Sequence, residues 1–486
     1  MQENLKAKTV SGMIWSALQR FGTMGISFVS NIVLARLLTP DDYGCIGMLA
    51  IFITVSNTFV DGGFGSALIQ KKDVTQKDYS TIFWWNLFLS VVLYGVLFIS
   101  APAVSRFYNI PLLESVLQVQ GVVLIINALN IVQTNQLRKS INFKRLATIY
   151  IVSHIVAAAL AIVLAYMGWG VWALVAQQIV ASSITSIMLW VMNRWMPSLC
   201  FSVESFKQLF SFGGFVLASN LINTFCNNVQ GLLIGKFFNP ATLGYYTQAR
   251  KLEEIASHSL SGITDQVSYP VLSKLQSNKY AMISAIRKLL LSLAFITFPL
   301  MLILVLVAEP LILFIYGEKW LPCVPYFQIL CVAGMAGSLY SVNMRSIEAI
   351  GKSKEMFLVT VIKRFVGLSA IVIGLMLYDI KGVMIGIVFN YWFSYFVNIT
   401  MVSKYVGYKW KQQLKDLLPI VLVSLFAMLL SLFIVKIIGV NLIYFNTLIK
   451  LFIFVVVYMI ISYIFRLEAY KTVLNIVINI IKRNKN

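Results

Sequence analysis

Acidic residues are scarce in this chain. Its 486 residues include 18 Asp and Glu against 39 Lys and Arg, and charge of either sign makes up only 12%. Soluble domains carry about 25% charged residues, so a mean hydropathy of +0.83 excludes a water-soluble globular fold. Histidine is almost missing, and His154 and His258 lie far apart. The five cysteines, Cys45, Cys200, Cys226, Cys323 and Cys331, form no C-x-x-C pair and have no histidine at ligand spacing. Metal and thiol redox chemistry therefore lack their usual residues, and the cysteines read as small apolar residues packed between helices. No long stretch is free of a strongly apolar run, which excludes a large aqueous domain. There is no nucleophile elbow, phosphate loop or metal motif, so the chain is read as not an enzyme, with no cofactor.

What the chain does have is apolar runs near the roughly 20 residues that a helix needs to cross a bilayer. Fourteen are delimited by charged or turn-rich breaks, near 10–36, 42–61, 78–101, 112–135, 146–167, 169–192, 209–236, 241–270, 286–308, 322–345, 355–378, 382–403, 413–436 and 447–465. The expected fold is an all-α polytopic membrane protein of about fourteen spans. Lys6 and Lys8 precede the first run as in a signal peptide, but that run is too long and lacks a small-residue cleavage motif. It reads as a span. After Arg466, a segment with Val473, Ile476, Val477 and Ile480 ends in Lys482, Arg483 and Lys485, a pattern suited to a helix lying on an anionic inner leaflet.

With both termini cytoplasmic, the inner segments hold 27 basic residues and the outer segments 7. The excess of +21 is then positive-inside bias, and nucleic acid is not needed as a partner. The eighth run is weak, because it contains Arg250, Lys251, Glu253, Glu254, His258 and Asp265. Deleting it would invert every later loop, so parity argues that it crosses, facing a water-filled cavity.

The sequence repeats itself at an offset of 200. Residues 34–44 read LARLLTPDDYG and 234–244 read IGKFFNPATLG. Thr39 or Asn239 can cap a helix with proline at its first position, where the missing N–H costs nothing. The preceding spans each carry a polar stripe, Arg20, Thr23, Ser27 and Ser30 in one and Asn220, Asn223, Asn227 and Gln230 in the other. Such spacing puts four side chains on one helix face. That face serves either as a hydrogen-bonded seam or as the wall of a shared cavity. Two parallel six-span repeats follow: an N-terminal lobe at 1–200 and a C-terminal lobe at 201–405, with the last two spans and an amphipathic tail at 406–486.

Several stretches now carry a resemblance. They are D-G-G-F-G-S-A-L-I-Q from Asp61, D-Y-S-T-I-F-W-W from Asp78 and G-W-G-V-W-A-L-V from Gly168. To these are added L-G-Y-Y-T-Q-A-R-K-L from Leu243, S-Y-P-V-L-S-K-L-Q from Ser268 and G-E-K-W from Gly317. In order and spacing the chain resembles the multidrug/oligosaccharidyl-lipid/polysaccharide exporter (MOP) superfamily. Within it the match is to the Wzx-type flippases of lipid-linked oligosaccharides, in the branch of WzxC and the teichuronic-acid exporters. The resemblance implies two six-helix lobes, alternating access, and export of an undecaprenyl-diphosphate-linked glycan from the cytoplasmic face of a bacterial inner membrane. The partners it implies are that glycan, membrane lipids, and polysaccharide polymerase and assembly proteins.

A lipid diphosphate needs a wet, cationic lumen, because burying an uncompensated ion costs several kcal/mol or more. Arg20, Arg250 and Lys251 are the candidate diphosphate ligands, arginine as a fork and lysine as a point charge. Asn220, Asn223 and Asn227 are the candidates for sugar hydroxyls. The plain alternative for Arg250 and Lys251 is pairing with Glu253 and Glu254 one turn on. Lys363 and Arg364 either snorkel or line the second lobe, and read first as snorkelling side chains. Asp61, Glu254 and Asp265 are candidates for ion coupling, with Asp61 read first as structural because glycines follow it. Two other functions compete: an organic-cation or multidrug antiporter of the same superfamily, which would favour an acidic lumen, and a glycan polymerase or ligase, which would need a larger outer loop.

Overall fold

The computed structural model describes residues 2–439 and 442–483, and side chains in several helical stretches, chiefly 2–10, 258–267 and 479–483 and so including His258 and Asp265, lie outside the described residues. Every regular element among the described residues is helical. The chain forms two compact units, Met1–Thr247 and Gln248–Asn486. The lobes defined above by the repeat rest on a different criterion.

The first unit contains α1 (Gln2–Leu37), α2 (Pro40–Asp61), α3 (Phe64–Gln70), α4 (Gln76–Tyr108), α5 (Leu112–Lys139), α6 (Phe143–Tyr166), α7 (Val171–Asn193) and α8 (Val203–Phe237). It also holds the start of α9 (Pro240–Lys274). The second unit takes the rest of α9, then α10 (Lys279–Leu306), α11 (Ala308–Ile315), a 3-10 turn (Glu318–Cys323) and α12 (Val324–Ala349). It ends with α13 (Ser353–Tyr405), α14 (Trp410–Ile438), α15 (Ile443–Ile464) and α16 (Glu468–Arg483). Helix α13 is broken at Tyr378 and Asp379, between the expected runs 355–378 and 382–403.

Ten segments among the described residues are long and apolar enough to cross a membrane, and an eleventh if the bent α8 counts as one span. The protein is a multi-pass helical membrane protein. Helices α1 and α9 are not among those segments. Outward-facing apolar side chains such as Ile99, 80% exposed, face what would be lipid.

Helix starts follow the caps legible in the sequence. The Thr39 side chain accepts from the Asp42 N–H while the Asp42 carboxylate accepts from the Thr39 N–H, a reciprocal box with Pro40 at the first position. At the second copy, Asn239 Oδ1 accepts from the Thr242 N–H at 2.8 Å. The two starts also pack on each other reciprocally. A Cβ at Gly44 would collide with the Pro240 carbonyl oxygen, and a Cβ at Gly244 with that of Pro40.

In the first unit α2 lies against α5 and α8, α5 against α4 and α7, and α6 against α1 and α7. Gly62 and Gly63, both left-handed at φ 58° and 68°, end α2 just after Asp61 and redirect the chain into α3. An aromatic-rich core of Phe64, Ile82, Phe83, Val132 and Leu209 seals that end. In the second unit α10 is central, packing on α12, α14, α15 and α16.

Candidate functional site

The polar residues of the first unit converge. A cavity of about 550 Å³ opens between α2, α5, α6 and α7, within the range of small-molecule sites, about 300–1,000 Å³. Five amides line it: Asn57, Asn127, Asn130, Asn135 and Gln178. Thr54, Thr134, Ser182 and Thr185 add hydroxyls, and Asp61, Arg138, Tyr150 and His154 add ionisable groups.

Several amides hold each other across helices. Asn127 Nδ2 donates to Asn57 Oδ1 at 3.0 Å, and Asn57 Nδ2 donates to the Ile53 carbonyl at 3.0 Å. Gln120 Nε2 donates to Gln178 Oε1 at 2.7 Å. The His154 Nδ1 lies 2.8 Å from the Tyr150 carbonyl, which can only accept. The proton of a neutral His154 is thereby assigned to Nδ1. Other polar atoms lining the cavity are left over: Asn130 Oδ1 and Asn135 Oδ1 are buried without a hydrogen-bond partner. An unsatisfied buried polar atom costs about 1–3 kcal/mol, so these oxygens are acceptors kept for water or a ligand.

A second cavity of about 370 Å³ shares Asn57 and Asp61 with the first and is completed by Thr58, Asn220, Asn223, Thr224 and Asn227. The three expected asparagines of α8 thus stand together with Asp61. The fourth member of that stripe is used otherwise, because the Tyr246 hydroxyl donates to Gln230 Oε1 at 2.5 Å. Arg20 is exposed on α1 and lines neither cavity. Its stripe partners bond within the helix, Thr23 to the Gln19 carbonyl and Ser30 to that of Ser27.

The other charged candidates belong to the second unit. Arg250 Nε is paired with Glu254 Oε1 at 2.7 Å, one turn apart on α9, the arrangement weighed above as the plain alternative. Lys251 follows Arg250 on the same helix. The Asp265 side chain lies outside the described residues. Glu253, which the sequence did not single out, is 6% exposed and pressed against Gly334 of α12. Lys363 does not snorkel. It is 3% exposed, donates to Asn398 Oδ1 at 2.8 Å and sits over the Tyr340 ring at 4.7 Å.

Sequence reasoning missed Asn57, Asn127, Asn130, Gln178, Arg138 and His154. Asn127, Asn130, Thr134 and Arg138 form a stripe at helical spacing on α5 that could have been read from the sequence, whereas Asn57, Gln178 and His154 come from three other helices and join it only through packing.

The fold is all-helical among the described residues, with polar cavities in its first unit. It is similar to the lipid II flippase MurJ in an inward closed conformation (TM-score 0.74, 16% identity, 93% of this chain and 98% of that one). It is also similar to an inward-facing multidrug resistance MATE family transporter of the MOP superfamily (TM-score 0.64, 15% identity, 82% of this chain and 98% of that one). Among curated proteins the chain is 29% identical over 360 residues to the teichuronic acid biosynthesis protein TuaB of Bacillus subtilis (strain 168), covering 73% of this chain and 74% of that one. It is 24% identical over 420 residues to the lipopolysaccharide biosynthesis protein WzxC of Escherichia coli (strain K12), covering 85% of each. The profile of the family described as "Polysaccharide biosynthesis protein" matches residues 33–325, and the chain belongs to that family.

Proposed function

We propose that the protein flips a lipid-diphosphate-linked oligosaccharide from the cytoplasmic to the outer leaflet for surface polysaccharide biosynthesis, by alternating access. The observation that carries this reading is the amide-lined cavity inside an otherwise apolar, membrane-embedded unit. Amide side chains donate and accept at once, as sugar hydroxyls do. An organic cation would offer few partners to these acceptors and donors together. The relatives named for polysaccharide biosynthesis and the likeness to a lipid II flippase support the same reading.

In this proposal the membrane is a bacterial inner membrane, both termini are cytoplasmic and there are fourteen spans, α1 and α9 included. The moving parts are the lobes 1–200 and 201–405, with 406–486 appended. Asn220, Asn223 and Asn227 meet the glycan, and Arg20, Arg250 and Lys251 meet the diphosphate. Asp61, Glu254 and Asp265 are the groups available for ion coupling, and a polysaccharide polymerase with its assembly proteins receives the product.

The test is transport by the purified protein in liposomes, using a fluorescent isoprenyl-diphosphate oligosaccharide and, in parallel, ethidium. Accelerated exchange of the glycolipid between leaflets without ethidium transport is the expected result. Ethidium transport with no glycolipid movement would replace this reading with the antiporter of the same fold.

A further inference from the structure

The cations at one end of the first unit are not equally engaged. Lys71 is paired with Asp78 at 2.8 Å. Lys139 Nζ donates to the carbonyls of Leu68 and Lys71. Arg138, in the last turn of α5, is exposed and lines the amide cavity. Among the described residues its guanidinium makes no hydrogen bond and closes no ion pair, although it attracts Asp61 across the same space. A basic residue at a helix C-terminus commonly serves the helix dipole; Lys139, its neighbour in that turn, is bonded instead to the end of α3, and a dipole contact leaves the Arg138 N–H donors open to a ligand.

An idle arginine beside orphaned amide oxygens is an arrangement with a chemical meaning. The guanidinium presents a planar fork of N–H donors that matches a carboxylate or phosphate. The amides Asn57, Asn127, Asn130 and Gln178 match hydroxyls. A ligand satisfying both carries an anionic group next to a polyol.

We propose that Arg138 is an anion receptor of the amide cavity, taking a phosphate or carboxylate group of the glycan ligand while the amides take its hydroxyls. This rests on the glycan-transport reading and deepens it. In the proposed topology Arg138 stands at the cytoplasmic end of its span, at the depth where a lipid phosphate of the inner leaflet lies. Asp61 opposes the bound anion, so its charge tunes the site toward release. Tyr150 and His154 are the other titratable groups facing the cavity.

The experiment measures binding to the full-length protein in lipid nanodiscs, with three soluble probes: inorganic pyrophosphate, tetragalacturonate and the neutral cellotetraose. Arg138→Gln should weaken at least one anionic probe tenfold or more and leave cellotetraose within twofold. Loss of pyrophosphate alone assigns the group to the diphosphate, and loss of tetragalacturonate alone assigns it to an acidic sugar. Arg138→Lys should retain part of the affinity, and Asp61→Asn should raise it. If Arg138→Gln does not fold, Arg138→Cys in a background lacking the native cysteines is compared before and after modification with 2-aminoethyl methanethiosulfonate, which restores a positive charge. Anionic affinities within twofold of wild type in Arg138→Gln, or unchanged by that modification, overturn the proposal while leaving glycolipid transport by the wild type intact. A wild type that binds neither anionic probe also overturns the proposal, and glycolipid exchange in liposomes decides the transport reading separately.

Discussion

The amides of the first unit are tied in pairs, and this makes their energetics separable. Asn127 reaches Asn57 across two helices at 3.0 Å, and a net hydrogen bond contributes about 0.5–1.5 kcal/mol. Asn127→Ala should therefore lower the melting temperature modestly while weakening cellotetraose binding by several-fold. A double-mutant cycle with Asn57→Ala should show strong coupling, because each substitution leaves the other amide half satisfied. Additive losses would mean that the pair does not act as a unit. For Arg250 and Glu254 the expectation is the reverse in stability terms. Both ends are partly exposed, 29% and 37%, and such i,i+4 pairs contribute about 0.3–0.5 kcal/mol. Glu254→Ala should leave thermal stability nearly unchanged, measured by unfolding in detergent. If Arg250 serves the substrate, Arg250→Ala should abolish glycolipid exchange at that same stability, and unimpaired exchange would remove Arg250 from the site. The residues of this site were only half legible beforehand. The stripe of Asn220, Asn223 and Asn227 announces itself by spacing on one helix. Arg138 reads from the sequence as one more positive-inside charge, since nothing in it reveals that Lys139 and Lys71 are spent on other partners.

Elements show the opposite balance, because helix ends are local chemistry. The Thr39–Asp42 box, Pro40 and the D-G-G exit of α2 are written within a few residues of where they act. The same holds for D-Y-S-T, where Asp78 closes a capping box with Thr75. There Ser80 faces Ser198 at 2.9 Å, and Thr81 accepts from the Ser202 N–H at 3.0 Å. The caps are local, but the Ser80 and Thr81 contacts reach residues more than a hundred positions away and were not legible, and the docking of α16 was legible only as amphipathicity. Its tether is a fork: Arg287 of α10 grips Asp416 of α14 at 2.7 and 3.1 Å and reaches Glu468 at the start of α16 at 2.7 Å. The Tyr408 hydroxyl donates to the same Asp416 at 2.5 Å. Arg287→Ala should speed amide hydrogen exchange in α16 by tenfold or more, with the transmembrane helices of the second unit unaffected. Arg287→Lys should rescue it poorly, since an ammonium does not span two carboxylates as a fork does. Unchanged exchange in α16 would place its anchor elsewhere.

At the scale of the chain, ten or eleven segments among the described residues are long and apolar enough to cross, and the number matters because parity fixes the side on which every later loop lies. If α9 crosses, Ser277 faces the cytoplasm and Asn109 the outside. Both positions are exposed. In a chain cleared of native cysteines, Asn109→Cys should react with a membrane-impermeant maleimide in intact cells and Ser277→Cys only after permeabilisation. Labelling of Ser277→Cys from outside would sink the fourteen-span topology, and the six-plus-six lobes with it. The reciprocal meeting of the two helix starts also has a hereditary consequence. Every missense change at a glycine codon adds at least a β-carbon, and at Gly44 and Gly244 that carbon lands on a carbonyl of the opposite start. Gly25 and Gly95, with open space around them, accept alanine freely. A saturation scan read by surface polysaccharide should therefore show 44 and 244 as two blank columns, two hundred codons apart, where drift in one copy of the repeat is vetoed by the other.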